Sequence, residues 1–260
     1  MIISISTGAF YSLDYKKILS MISMTSCKNI KIFLNQAFRD ISFDEIATEV
    51  AKNNLNVLSI HAPLGPLVQE KESEKYWINR SLELAHILGA GVIVTHDTFH
   101  FDQNKKVFSV DEEHKENLIA FSKSSIPICT ENVHFMPVTS ILQSPEELLP
   151  FITMHQIGIT FDVSHWGSTN KDIIDGYYYF NEFIRNIHIS DNLNGVEHKI
   201  LGTGNLPLAR FIKMLQKENY NNPLTIELDL DNPERNNVKT EEDAIKAMEH
   251  SYNFILNSLN

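Results

Sequence analysis

The segment from residue 78 to residue 96, INRSLELAHILGAGVIVTH, contains a helix pattern and a strand pattern in the order that decides the fold. Four apolar residues fall on one helical face: Ile78, Leu82, Ala85 and Leu88. Gly89 follows them, and glycine commonly ends helices. The run Val92–His96 begins with β-branched residues, which are enriched in strands, and ends in a titratable side chain. The segment therefore predicts a helix followed by a buried strand.

Short apolar runs like Val92–His96 recur along the chain, mostly about thirty residues apart, which is the length of one βα unit. Most are continuous rather than alternating, as in strands that are buried on both faces. We predict eight strands near Ile2–Ser6, Ile30–Leu34, Val57–His61, Val92–His96, Ile126–Glu131, Gly158–Val163, Asn186–Ser190 and Leu224–Leu228.

Sequences that favour helix starts lie between these runs. Ser42–Glu45 and Ser109–Glu112 fit the capping box, in which a serine or threonine precedes an acidic residue by three positions. Ser144 is followed by a proline suited to a first helical position, and Thr240–Asp243 opens the last helix. Strands and helices therefore alternate, which predicts parallel βαβ units.

The number of repeats selects one α/β architecture. Eight units in 260 residues match a closed (β/α)8 TIM barrel, for which about 250 residues is typical. The alternative is an open doubly wound sheet, which more often has a glycine-rich first turn, and Gly8-Ala9-Phe10 is not such a turn. No linker or low-complexity segment divides the chain, so we predict one barrel domain over residues 1–260.

Composition and charge exclude or disfavour several classes of protein. The 43% hydrophobic and 21% charged residues are typical of a soluble globular domain, and no apolar run reaches the roughly 18 residues that a membrane span needs. The net charge of −11 disfavours nucleic acid as a partner without excluding it, because such surfaces are usually basic. Two cysteines and a start that resembles a strand rather than an export signal predict a reduced, cytoplasmic protein.

Six of the eight predicted strands end in, or run directly into, a titratable residue: His61, His96, Glu131, Asp162, His188 and Glu227. The carboxyl ends of barrel strands converge on one rim, where active sites of this fold lie. Burial of such groups without partners is costly, and a divalent cation would supply the compensating charge. Clusters of Asp, Glu and His from neighbouring strands are typical of metal sites.

Several of these strand ends resemble motifs of the xylose-isomerase-like barrel superfamily, which includes sugar isomerases, epimerases and the endonuclease IV group. The resemblance covers nearly the whole chain, and the motifs together are more specific than any single one. They are Ile60-His61-Ala62-Pro63-Leu64, the stretch from Leu88 to His96, Glu131-Asn132, Asp162-Val163-Ser164-His165, His188-Ile189-Ser190-Asp191, His198 with Leu201-Gly202-Thr203-Gly204, and Glu227.

The resemblance implies that Glu131, Asp162, His188 and Glu227 surround one divalent metal ion. Three carboxylates and one imidazole suit Mn²⁺, Mg²⁺, Co²⁺ or Zn²⁺. In the isomerases and epimerases of the family, two glutamates face each other across a ketose; one takes a proton from carbon and the other returns it. Glu131 and Glu227 would hold these catalytic roles on a small sugar-like substrate. Barrels of this family often associate, so a homo-oligomer is a further expectation.

The endonuclease IV group implies a different activity, the cleavage of abasic DNA by a phosphodiesterase with several zinc ions. His61 and His96 would share Glu131 in one additional metal site. His165 and His198 would form another, or else these histidines would contact a substrate.

Two features of the sequence disfavour the endonuclease hypothesis. The site of His165 and His198 needs an aspartate where this chain has Val196, and a shift of one residue is expected to point the adjacent Glu197 elsewhere. Few cations lie near the rim to hold a DNA duplex: Lys105, Lys106, Lys199 and Arg235.

The sugar hypothesis has a departure of its own. Ketose epimerases of this group often carry an arginine six residues after the histidine of strand seven, where this chain has Asn194. Another polyol, a keto acid or an inosose-type substrate therefore stays open. A barrel that binds metal without catalysis is a third hypothesis, which the complete set of four ligands and two glutamates disfavours. Six aromatic residues after strand ends favour a sugar pocket: Phe10, Tyr11, Phe99, Phe101, Phe135 and Trp166.

Overall fold

The computed structural model describes residues 1–35, 38, 41–63, 73–95, 99–102, 107–110, 112–133 and 145–260. The strands in these ranges are β1 Ile2–Ser6, β2 Asn29–Phe33, β3 Asn56–His61, β4 Val92–Thr95, β5 Phe99–Asp102, β6 Val107–Val110, β7 Ile128–Glu131, β8 Gly158–Asp162, β9 Ile184–Ile189, β10 Asp191–Leu193, β11 Val196–Lys199 and β12 Pro223–Ile226. The helices are α1 Tyr15–Ser23, α2 Phe43–Lys52, α3 Glu74–Leu88, α4 Glu112–Phe121, α5 Pro145–His155, α6 Val163–Gly167, α7 Ile173–Phe180, α8 Leu208–Lys217 and α9 Glu241–Leu259. None of these helices combines the length and the apolar character that a bilayer crossing requires.

Eight of the strands close into a barrel in which neighbouring strands pair in parallel. Their order is β1-β2-β3-β4-β7-β8-β9-β12, which follows the chain, and β12 pairs with β1 to close the barrel. Helices connect successive strands, so all the strands point the same way and their carboxyl ends meet at one rim. The predicted (β/α)8 TIM barrel is confirmed.

Two antiparallel hairpins interrupt the alternation of strands and helices. The first pairs β5 with β6 after barrel strand β4, and the second pairs β10 with β11 after β9. The sequence analysis predicts neither of them. The prediction that Ser109 begins a helix is wrong, because Ser109 pairs with His100 in the first hairpin.

The helix ends follow local hydrogen-bonding rules. Ser42 accepts the backbone N–H of Glu45 at the start of α2, and Thr240 and Asp243 form a reciprocal capping box at the start of α9. Gly89 ends α3 with a left-handed backbone, at φ 72°, as its position in the sequence predicts. These signals fix where the helices begin and end relative to the rim.

A layer of polar side chains lies beneath the rim, inside the barrel. Thr160, Asn186 and Thr225 each precede a predicted site residue by two positions, so they share its inward-facing side of the strand, and all three are fully buried. Ser4 donates to Thr225 across 2.9 Å, and Thr225 donates to Asn186 across 3.2 Å. The main apolar core lies between the strands and the helices instead. The candidate site therefore has a buried polar floor.

Candidate metal centre

Four of the predicted residues come from four different strands and meet at the rim. Glu131 ends β7, Asp162 ends β8, His188 lies one residue before the end of β9, and Glu227 directly follows β12. One potential ligand atom from each lies within 4.8 Å of those from the others. The side chain of Glu227 is 13% exposed and the other three are buried. A single cation can therefore bridge all four.

The Nδ1 atom of His188 faces all three carboxylates of this four-residue cluster. It lies 2.5 Å from Glu227 Oε2, 2.9 Å from Glu131 Oε1 and 3.9 Å from Asp162 Oδ2. Asp162 Oδ2 is buried without a hydrogen-bond partner in the described part of the chain, and Glu227 Oε2 has only its ion pair with His188. Buried polar atoms normally have partners, and a divalent cation would supply one for both oxygens. The residues present thus fit Mn²⁺, Mg²⁺, Co²⁺ or Zn²⁺.

The charges of the four-residue cluster shift one another's protonation. Burial by itself raises the pKa values of Glu131 and Glu227. His188, together with His61 at Glu131 and Lys31 at Glu227, lowers both well below the usual range. Burial lowers the pKa of His188, yet the two glutamates raise it to about 9. Burial and the same glutamates raise the pKa of Asp162 to about 7. Bound protons therefore offset part of the excess negative charge of the cluster, and a cation can replace them.

Lys31 on β2 is a residue of this site that the sequence analysis did not select. It is fully buried, its Nζ atom lies 3.1 Å from His188 Nε2, and it pairs with Glu227 Oε1. Lysine is almost never fully buried unless it is paired. A lysine inside the apolar run Asn29–Phe33, in a strand expected to be buried, is the feature that could have identified it.

His61 at the end of β3 contacts the four-residue cluster through Glu131. Its Nε2 atom lies 3.2 Å from Glu131 Oε2, and its Nδ1 atom lies 2.6 Å from the carbonyl oxygen of Ala62. Burial, followed by the charge of Lys31, lowers the pKa of His61, which favours its neutral form. His96, its predicted partner in an additional metal site, lies outside the described residues.

His165 and His198 form a second cluster beside the first, which we call the histidine pair. Their Nε2 atoms are 3.2 Å apart, and Asp162 also offers an oxygen within ligand distance of both. Burial by itself lowers the pKa of His165, but Asp162 and Glu197 raise it to about 9. Burial and the adjacent His165 lower the pKa of His198 to about 4. A protonated His165 therefore donates to a neutral His198, and one proton satisfies the pair.

Glu197 corrects an expectation from the sequence. Its carboxylate lies 4.0 Å from His165 Nε2, so the prediction that this side chain points elsewhere is wrong. Adjacent residues of a regular strand point to opposite faces. His198 breaks this rule with a left-handed backbone at φ 56°, and the pairing of β10 with β11 shifts register. Both side chains can then face the same rim.

Asp191 holds the loop that carries His198, which explains two of the sequence motifs. Its carboxylate accepts the backbone N–H groups of Gly202 and Gly204 across 2.9 Å and that of Leu206 across 3.2 Å. A side chain on Gly204 would come within 2.3 Å of the carbonyl oxygen of Asn192, so only glycine fits this close approach. The motif therefore positions a loop rather than supplying a ligand.

Of the three predicted rim aromatics whose side chains the structure describes, two pack into the core. Phe10 and Trp166 are buried in the apolar core, whereas Tyr11 is 45% exposed and its ring meets Phe33 edge-on. Although much of the residue is exposed, burial of its hydroxyl end and the carboxylate of Glu227 raise the pKa of Tyr11. The side chains of the other predicted aromatics lie outside the described residues: Phe99, Phe101 and Phe135.

The cations near the rim are engaged by acceptors of the protein itself. Lys199 donates to the backbone carbonyl of Arg235, and Arg235 pairs with Asp229 across 3.0 Å. Lys105 and Lys106 lie outside the described residues. The described rim thus offers little unpaired positive charge to a phosphate backbone.

Comparisons of sequence agree with the fold. The profile of the family described as xylose isomerase-like TIM barrel matches residues 22–253 of this chain. The uncharacterized protein MJ1188 of Methanocaldococcus jannaschii is 26% identical over 215 residues, which cover 78% of this chain and 75% of that protein.

Solved structures of similar shape include sugar epimerases and an endonuclease. The D-psicose 3-epimerase of Clostridium cellulolyticum H10, solved with D-tagatose, has a TM-score of 0.74, 13% identity and full coverage of both chains. A D-tagatose 3-epimerase-like protein has a TM-score of 0.71 and 19% identity, and the match covers 100% of this chain and 98% of that one. The family 2 AP endonuclease of Brucella melitensis has a TM-score of 0.69 and 14% identity, and the match covers 96% of this chain and 98% of that one. At these identities the likeness shows the fold alone. On the match of its sequence over residues 22–253, the chain belongs to the xylose isomerase-like TIM barrel family.

Proposed function

We propose that the protein is a divalent-metal-dependent isomerase or epimerase that acts on a small keto-sugar or related polyol. The observation that supports this most strongly is that two glutamates lie beside the same imidazole nitrogen. Glu131 and Glu227 are 2.9 Å and 2.5 Å from His188 Nδ1. A metal held by these residues and Asp162 would polarise the substrate oxygens next to the reacting carbon.

The two glutamates are the proton-transfer groups of this proposal. The pKa values of both lie well below the usual range, so each is ionised and able to accept a proton from carbon. His61 orients Glu131 through its second oxygen, and Lys31 does the same for Glu227. One glutamate removes a proton from the substrate. The other, after taking up a proton from solvent, returns one to the carbon, from the opposite face in an epimerase.

The rim suits a small uncharged substrate better than a polyanion. Its described cations are already paired, whereas polar side chains that can contact hydroxyl groups surround the glutamates: Tyr11, His61, His165 and His198. The proposal requires no nucleic acid and no membrane. A homo-oligomer and a cytoplasmic location stay predictions.

Exchange with solvent deuterium tests the proposal directly. The Mn²⁺-loaded protein is incubated in D₂O with a panel of ketoses that includes D-tagatose and D-psicose, and the products are read by NMR. We expect deuterium at the epimerised or isomerised carbon of at least one sugar, and none with the Glu131→Gln variant. Absence of exchange in the whole panel, together with robust cleavage of an abasic DNA duplex, would contradict the proposal.

An endonuclease IV-like phosphodiesterase is the second candidate, and one observation favours it. Glu197 approaches His165 in the place where the aspartate of the additional metal site is missing from the sequence. The abasic duplex assay tests this candidate, and more than one metal ion per chain by elemental analysis would support it.

A further inference from the structure

Lys31 is an unusual neighbour for a metal site. It pairs with Ser59 in the β2–β3 ladder, two residues before His61, so it starts one layer below the rim and reaches upward. Its side chain is fully buried, and its Nζ atom lies 3.1 Å from His188 Nε2 and against Glu227 Oε1. Two of the four residues of the candidate metal site therefore contact a cation that belongs to the protein.

The two nitrogens of His188 face opposite kinds of partner. Its Nδ1 atom faces the three carboxylates, so an ion among them would bind the lone pair of Nδ1. The ring hydrogen would then lie on Nε2. Histidines that bind metals normally donate this hydrogen to a carboxylate, a carbonyl or water.

Lys31 cannot accept that hydrogen bond. Its ammonium group has three donors and no lone pair. With an ion on Nδ1, the N–H of His188 would point at another donor 3.1 Å away. The Nε2 atom can accept from the ammonium group only in a ring that carries its single hydrogen on Nδ1, toward Glu131, and an ion on Nδ1 excludes that state. A hydrogen bond from Lys31 to His188 is therefore incompatible with a bound ion.

We propose that Lys31 is an internal competitor for the metal: its ammonium group and the ion exclude each other at His188, and metal binding displaces Lys31 from the ring. The ammonium group also offsets part of the negative charge of the three carboxylates, so an incoming ion gains less attraction. Lys31 thus holds the metal-free site together and weakens metal binding. This inference rests on the metal site of the proposed function.

Direct titration with Mn²⁺ tests the competition without an activity assay. Free Mn²⁺ is measured by electron paramagnetic resonance for the wild type, Lys31→Met and Lys31→Gln. Lys213→Met is the matched control, because this lysine is exposed on α8. We expect both Lys31 variants to bind Mn²⁺ at least tenfold more tightly than the wild type, and the control to stay within twofold. The melting temperature without metal should fall in Lys31→Met, and its rise on adding Mn²⁺ should exceed that of the wild type.

The outcomes separate this inference from the proposed function. If the wild type binds Mn²⁺ and the Lys31 variants bind it equally or more weakly, the competition is overturned while the metal site stands. If only the Lys31 variants bind Mn²⁺, the competition is supported and the wild type is not a manganese enzyme. If none of them binds Mn²⁺, both ideas fail. Lys31→Gln carries the test alone if the methionine variant does not fold.

Discussion

The four-residue cluster and the histidine pair lie side by side and share Asp162, yet their charges are balanced in different ways. The cluster places three carboxylates around one imidazole. Among the described residues, Asp162 Oδ2 has no hydrogen-bond partner and Glu227 Oε2 has only its ion pair with His188. In the histidine pair, His165 Nδ1 donates to the carbonyl oxygen of Asn132 across 2.9 Å, and His198 Nδ1 donates to that of Glu227 across 3.3 Å. A single proton between the two Nε2 atoms then completes the pair.

This difference in charge balance indicates which of the two sites needs a cation. Protons and Lys31 offset only part of the charge of the four-residue cluster, and these two oxygens call for a metal ion. In the histidine pair, every ring nitrogen has a hydrogen-bond partner, and Glu197 lies 4.0 Å from His165 Nε2. The comparison predicts one metal ion per chain, which favours the epimerase over the phosphodiesterase.

The largest effect is expected from Glu131→Gln. The amide keeps the shape of the side chain but cannot take a proton from carbon and binds a metal weakly, so turnover should fall by roughly 10²–10⁴ or more. Glu197→Gln, at the histidine pair, is the matched control and should lower turnover by less than about tenfold. Steady-state rates of deuterium exchange measure both. Similar losses in the two variants would erase the distinction between the sites.

Removal of the metal should come next in size. Chelation should abolish exchange activity, and the protein should lose the stability that the ion adds, about 2.7 kcal/mol at a concentration of one hundred times its dissociation constant. For a protein of this size that is a fall in melting temperature of roughly 5–10 °C. Calorimetry before and after chelation, with Mn²⁺ added back as the control, measures it. An enzyme that stays fully active with no metal by elemental analysis would refute the prediction.

Gly204→Ala should disturb the loop of the histidine pair and spare the cluster. The new methyl group would lie 2.3 Å from the carbonyl oxygen of Asn192 and 2.4 Å from Asp191 Oδ1, which overpacks the loop and costs about 1–3 kcal/mol. Gly91→Ala is the control, because nothing lies within 4 Å of the added atom. Urea unfolding gives both stabilities, and Mn²⁺ affinity should not change. A large loss of affinity would show that the two sites are not independent.

His198→Ala should have the smallest effect if the epimerase proposal is right. This histidine then contacts at most a substrate hydroxyl, so the exchange rate should fall by less than about tenfold, near 1.4 kcal/mol. In a phosphodiesterase that binds metal at the histidine pair, the same change would remove a ligand and stop cleavage. Parallel assays on the sugar and on the abasic duplex distinguish the two outcomes.

The sequence predicts the barrel well because strands and helices depend on local patterns, and the resemblance to a known family selects the four-residue cluster from the strand ends. Apolar runs about thirty residues apart define the strands, and Glu131, Asp162, His188 and Glu227 stand at or beside their ends. The two hairpins escaped prediction because their strands have only three or four residues and lie in connecting segments, outside the repeat of about thirty residues. The one-domain extent over residues 1–260 stays a prediction.

The details of the site depend on contacts that no local pattern records. Glu197 was expected to point away, and the left-handed backbone of His198 brings it to the rim. Lys31 is visible in the sequence as a charge inside an apolar strand, but only the folded barrel shows that it reaches His188. Phe10 and Trp166 follow strand ends, yet they pack into the core. Position along a strand predicts the rim, whereas side-chain direction needs coordinates.

Anomalous diffraction from a crystal soaked in Mn²⁺ would show directly whether the four-residue cluster binds one metal ion. We predict one strong peak per chain at about 2.0–2.3 Å from His188 Nδ1 and from carboxylate oxygens of Glu131, Asp162 and Glu227, with no peak between His165 and His198. A map without a peak at these four residues, or with its strongest peak at the histidine pair, would contradict a metal site at the four-residue cluster.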